Sequence, residues 1–234
     1  MVHAGAEKIG RQDLLALPTP PGTATHRPIA HHLIVEALIE SLGFRRIIPV
    51  REEYAVTADG NRMFGVMDLN VEEKDIRFSI AVRNSHDKSF AMGLTCGFRV
   101  FCCDNLAFNG EFSPVMRKHT KRADHVEIIG GAVDKMQRHW KPITEKIDVW
   151  QNHSLPDNDA RLLIYRAFVE GGTTLPKHLL KEVHREYFEP QFEEFKPRTM
   201  WSLQNGFTSA IKKLDPIPGY QALGEIGRFF NALN

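Results

Sequence analysis

The sequence predicts an α+β fold: a twisted antiparallel β-meander with a long central hairpin, packed by helices and followed by a helical C-terminal half. Three observations predict it. Phe78, Ile80 and Val82, then Phe90, Met92, Leu94, Cys96, Phe98, Val100 and Cys102, occupy every second position. That two-residue period belongs to strands with one apolar face. Later, Ile129, Val133, Met136, Trp140, Ile143, Ile147 and Trp150 follow a four-three spacing, the seam of a long helix. Strand patterns precede helix patterns, which separates this fold from a doubly wound one.

Composition sets the outer limits. The 234 residues are 42% hydrophobic and 25% charged, with a formal net charge of +1. A chain of this kind buries a real core. Its overall charge does not draw nucleic acid, so any such binding depends on local patches. No apolar run approaches the ~20 residues of a membrane span. The N-terminus shows no apolar signal core. Three cysteines, two of them adjacent, form no disulfide framework. These features together point to a cytoplasmic protein.

Residues 1–29 read as a flexible or arm-like tail, because LPTPPGTATHRP is rich in Pro, Thr and Gly. A short helix is expected near Asp13 to Ala16. Residues 30–234 read as one domain, with 30–110 mainly sheet and 124–234 helical. Its first helix runs from about Pro28 to Leu42, started by Pro28 and stopped by Gly43. His31 and His32 read as a solvated surface pair, since neighbours on a helix point about 100° apart. Ala58-Asp59-Gly60-Asn61 is a hairpin turn between two strand-like runs. Asn84-Ser85-His86-Asp87-Lys88-Ser89 is the polar break joining the two strands of the central hairpin. Pro142 is expected to kink or divide the long helix. Further helices are expected from Pro156, after Thr174, around Trp201 to Leu214, and from Tyr220 to Leu233.

Two motifs carry a family resemblance. NSHDKS followed by FRVFCCDNLAF, and later Thr199-Met200-Trp201-Ser202-Leu203-Gln204-Asn205, resemble the core motifs of a phage- and plasmid-borne domain family of unknown function. The resemblance spans roughly residues 30 to 214. In one departure, Leu106 follows Asn105 where the family pattern tends to have Gly or Thr. The resemblance implies a mobile-element setting and brings no settled activity with it.

Two sets of residues suggest chemistry. His86 and Asp87 suit a general base with its orienting acid, or two metal ligands, with Asp104 as a further oxygen donor. A straight second strand would separate the hairpin tip from Asp104 by roughly 40 Å, so that site requires a bend at Gly93 or Gly97, or a second copy. The alternative leaves Asn84 and Asp87 capping the turn with His86 exposed. Cys96, Cys102 and Cys103 lack zinc spacing. The chain has no Walker loop, no G-x-G-x-x-G, no H-E-x-x-H and no G-x-S-x-G.

The second set is basic. Arg117, Lys118, Lys121 and Arg122 fall within six residues after the hairpin. Arg83, Lys88 and Arg99 lie on or beside it, and Arg45, Arg46 and Arg51 form another group. Phe101 and Phe108 are nearby aromatics. Positive charge with aromatic platforms holds single strands without reading sequence. The first functional expectation is therefore an accessory protein binding single-stranded nucleic acid in DNA maintenance or recombination. A β-meander followed by a long helix is also loosely similar to phage single-strand annealing proteins, by fold analogy. The alternatives are a metal-dependent hydrolase using His86, Asp87 and Asp104, and an interaction protein that inhibits a host defence. No cofactor is expected. Homo-oligomers would form through the 129–150 seam or the N-terminal arm.

Overall fold

The α+β expectation holds in the computed structural model, which describes residues 6–73, 76–100, 106–108, 115–118 and 124–233. The chain forms two compact units, residues 1–98 with 112–139 and residues 99–111 with 140–234. Cys102, Cys103, Asp104, Phe101, Lys121 and Arg122 lie outside the described residues.

The first unit is a meander. Its strands are β1 (Ala6–Ile9), β2 (Pro49–Thr57), β3 (Arg62–Glu73), β4 (Ile76–Ser85) and β5 (Met92–Val100), adjacent in that order. Pairs β1–β2, β2–β3 and β3–β4 are antiparallel. Leu106–Phe108 forms β6, and β7 (Val115–Arg117) pairs antiparallel with β5. The β2–β3 turn is the expected one: Gly60 takes φ +67°, a left-handed conformation that costs glycine nothing. Hydrogen bonds from the Thr57 hydroxyl and from Asn61 hold the Asp59 carboxyl down at about 2.

Both faces of the central strands are covered. Along β5, Gly93, Thr95 and Gly97 are buried together with Met92, Leu94, Cys96 and Phe98. Burial pushes the Cys96 thiol well above its ordinary value. The break between β4 and β5 lies two residues later than the sequence suggested, at 86–91, because Asn84 and Ser85 remain in β4 and β5 begins at Met92.

Two expectations about the N-terminal half are corrected. The tail is not a free arm: Ala6–Ile9 adds a strand to β2, in register Ala6↔Thr57 to Ile9↔Tyr54. Residues 13–16 form the expected short helix, of 3-10 type, with Leu14 fully buried. The first helix, α1 (His31–Phe44), runs past Gly43. Its end is closed by Arg46 N–H donating to Gly43 O (2.9 Å) and Ile47 N–H donating to Leu42 O (3.0 Å). Arg46 takes the left-handed position, φ 59°, usually given to glycine.

Helix α2 (His125–Asn152) contains Pro142 without being divided. Six seam residues, Ile129, Val133, Met136, Ile143, Ile147 and Trp150, are buried within the single chain, so their burial requires no second copy. Among the described residues no helix is long and apolar enough to cross a membrane.

The second unit also contains α3 (Asp157–Phe168), α4 (Leu180–Phe188), α5 (Met200–Ile211) and α6 (Pro216–Asn231). The Thr199-Trp201-Leu203-Asn205 motif is structural. Thr199 Oγ1 caps α5 by accepting from Ser202 N–H at 3.2 Å. Trp201, Leu203 and Phe207 are buried, and Asn205 Nδ2 donates back to Trp201 O at 3.0 Å. Phe207 packs among Phe168, Phe229 and Phe230 with ring centroids 5.7 to 6.4 Å apart. Arg198 donates to the Tyr187 and Phe188 carbonyls at the end of α4 and lies over both rings.

Candidate functional site

The chemistry-bearing residues of the first unit gather where β4 ends. Asn84 is fully buried there. Its Nδ2 donates to the Ile29 carbonyl (2.9 Å) and to His31 Nδ1 (2.9 Å). Only the amide nitrogen can face a carbonyl oxygen, which fixes the orientation of the side chain. His31 Nδ1 is then an acceptor, so Nε2 carries the proton and donates to Gly60 O at 3.0 Å. His86 Nε2 donates to the same Ile29 carbonyl at 2.9 Å, and His26 Nε2 donates to the His86 carbonyl at 3.2 Å.

The His31 and His86 rings stack at 3.9 Å with planes 8° apart. Two imidazolium charges at that separation would repel by about 4 kcal/mol at an effective dielectric of 20. Burial lowers the His86 pKa from its ordinary value; the Ile29 hydrogen bond and the Asp87 charge oppose this only in part, and His26 adds to it. His86 Nδ1 and Asn84 Oδ1 are buried with no hydrogen-bond partner among the described residues. The arrangement clamps residues 26–31 onto the end of β4, and it corrects the reading of His31 as a surface residue and of His86 as an exposed one: they are 1% and 4% exposed.

The clamp carries a pH dependence with a definite sign. A histidine whose folded pKa is lowered leaves the unfolded chain binding more protons in the interval between the two values. Its contribution to stability is complete above the ordinary imidazole value of 6.5 and is lost as pH falls below it. Urea midpoints should therefore drop between pH 7.5 and pH 5.5, and the drop should shrink in His86→Gln. Equal drops in both proteins would contradict this assignment.

Asp87 makes its hydrogen bonds within its own turn and with Arg62. Burial disfavours its charge, but bonds from the Ser85 hydroxyl (2.6 Å), the Ser89 N–H (3.0 Å) and Arg62 Nε (2.8 Å) outweigh that and hold the carboxyl below its ordinary range. The expected base-and-acid dyad is thus not assembled: His86 bonds Ile29 and Asp87 bonds Arg62. Among the described residues no group of three or more His, Cys, Asp or Glu side chains forms a metal-binding set.

What Asp87 does build is the hairpin tip. It orders the turn and neutralises Arg62, leaving Lys88 exposed beside it with φ 65° and with no ion pair among the described residues. Arg83 lies over the half-exposed Phe90 ring at 5.2 Å, and Phe64 flanks Phe90 at 5.2 Å. The β5–β7 register sets Arg117 opposite Met92, so β7 runs toward this tip. Lys118 follows, exposed and with no ion pair among the described residues. Arg99 is near the other end of β5 and falls in the second unit. The Arg45, Arg46 and Arg51 group is largely neutralised: Arg45 pairs with Asp134 and Arg51 with Glu53, each at 2.7 Å.

Asn84, His31 and His26 were not singled out as one group from the sequence. The Asn84 amide lies 53 and 55 positions from its partners. No local pattern encodes such a pairing.

The meander, the buried clamp and the basic hairpin tip define an α+β protein whose first unit carries its polar chemistry at one end of the sheet. The chain belongs to the family described as Domain of unknown function (DUF932), whose family model matches residues 27–218. Neither the comparison with curated proteins nor that with solved structures gives a match.

Proposed function

We propose that this protein binds nucleic acid, single strands in preference to duplexes, through the β4–β5 hairpin tip, in the maintenance or recombination of mobile-element DNA. The observation that carries the reading is the register Arg117↔Met92. It brings the start of the 117–122 basic run to the end of the hairpin that already displays Lys88 and the Arg83–Phe90 pair. Cationic side chains contact phosphates without reading sequence. A half-exposed aromatic beside them suits unstacked bases better than a closed duplex. The mobile-element setting follows from the motif resemblance.

A labelled oligonucleotide titrated at low salt tests the reading by fluorescence anisotropy. The wild-type chain should bind, and a quadruple Ala variant at Arg117, Lys118, Lys121 and Arg122 should bind at least tenfold more weakly. Absence of wild-type binding at low salt would remove the proposal.

A second reading, as a protein-interaction module, is favoured by one observation. Phe44, Ile48 and Val50 are exposed at 80%, 59% and 50% close together in the chain. Apolar surface of this kind marks partner sites when it forms a contiguous patch.

A further inference from the structure

We propose that Lys88 is a dedicated phosphate ligand, retained at a left-handed turn position because its ammonium contacts the phosphodiester backbone of bound nucleic acid. This rests on the nucleic-acid reading and names a residue and a contact within it.

The argument begins from a backbone outlier. Lys88 has φ 65°, a conformation in which a Cβ crowds the backbone and which glycine adopts freely. Local strain of this kind persists when the surrounding structure fixes it, and it concentrates where a side chain is needed. Here the surroundings do fix it. Asp87 Oδ1 accepts from Ser85 Oγ and from Ser89 N–H on either side of Lys88, and Asp87 Oδ2 holds Arg62. These bonds order the turn, while Lys88 itself is exposed and has no hydrogen-bond or ion-pair partner among the described residues. The carboxylate next to it in the chain, Asp87, is committed to Arg62.

The placement is also specific. Lys88 lies four positions before Met92, a span of at most about 14 Å, and Met92 faces Arg117 across the β5–β7 ladder. Lys88 and Lys118 are thus two exposed ammonium groups at one end of one strand pair. A preformed turn also loses little conformational freedom on binding, which favours a contact made from it. A phosphate chain is the ligand this chemistry fits: ammonium groups are point charges that need no planar partner.

The test compares Lys88→Gly, Lys88→Gln and Lys88→Arg with the wild-type chain. Thermal melts read the strain, and single-strand binding across a salt series reads the contact. Lys88→Gly should melt a few degrees higher. Both Lys88→Gly and Lys88→Gln should bind roughly three- to tenfold more weakly at low salt, with the salt slope reduced by about one phosphate contact. Lys88→Arg should keep wild-type slope. If the wild-type chain binds and Lys88→Gly matches it in affinity and slope, this inference fails while the broader reading stands. If the wild-type chain does not bind at all, both fail.

Discussion

Replacing Asn84 by Ala should lower the unfolding free energy by about 2–4 kcal/mol, the effect expected for breaking a fully buried polar node. The substitution removes two hydrogen bonds, to the Ile29 carbonyl and to His31 Nδ1, both at 2.9 Å. His31 is 1% exposed, so water does not readily replace the donor that its Nδ1 loses. An unsatisfied buried acceptor costs about 1–3 kcal/mol, and the vacated amide volume adds a cavity term. Urea unfolding at pH 7.5 measures the sum. Nitrogen shifts of the His31 ring provide an independent readout, because Asn84 and Gly60 together hold the Nε2–H form. A loss below about 0.5 kcal/mol, the range of ordinary surface changes, would show that Asn84 is not a node of the clamp.

Gly65→Val should cost about 3 kcal/mol or more, by overpacking rather than by loss of a bond. A Cβ at Gly65 would stand 2.6 Å from Tyr54 Cδ1, 2.8 Å from Tyr54 Cε1 and 3.0 Å from Val82 Cγ1. Tyr54 and Val82 are its register partners on the two flanking strands. The Tyr54 ring lies across the glycine and cannot swing out cheaply. It is 2% exposed, and its hydroxyl donates to Glu52 Oε2 at 2.7 Å. Burial, with the Glu52 hydrogen bond and charge behind it, raises the Tyr54 hydroxyl far above its ordinary pKa, so it remains a donor throughout the working range. Gly65→Ala should cost about 1–3 kcal/mol, and much less when Tyr54 is also truncated to Leu. Equal costs in the two backgrounds would mean that something other than the ring excludes the side chain.

The sheet and the long helix were legible because each repeats a period in its apolar residues. Every second position from Phe78 to Val82 and from Met92 to Val100 gave the central strands. The four-three seam gave α2 through Pro142. Strand β1 was not legible: four residues with a single completely buried side chain carry too little period to register. The end of β4 was hidden for another reason. Asn84 and Ser85 are turn formers by type, and they stay in the strand because residues 29 and 31 supply partners for Asn84.

The site was legible in part. In the sequence His86 and Asp87 read as a pair. Both lie in the bend after β4, where His86 bonds Ile29 and Asp87 bonds Arg62. The basic run at 117 was legible as charge. Its position against Met92 was not, because it depends on a ladder between segments more than twenty residues apart. The αL conformation at Lys88 has no signature in the sequence, since Lys is an atypical residue for it.

The measurement that tests the central claim most directly is a salt series of anisotropy titrations with the unmodified chain, on a single strand and on its duplex. The account predicts tighter binding to the single strand and a log–log salt slope of several phosphate contacts. Affinity that does not change with salt, or that is higher for the duplex, would contradict it.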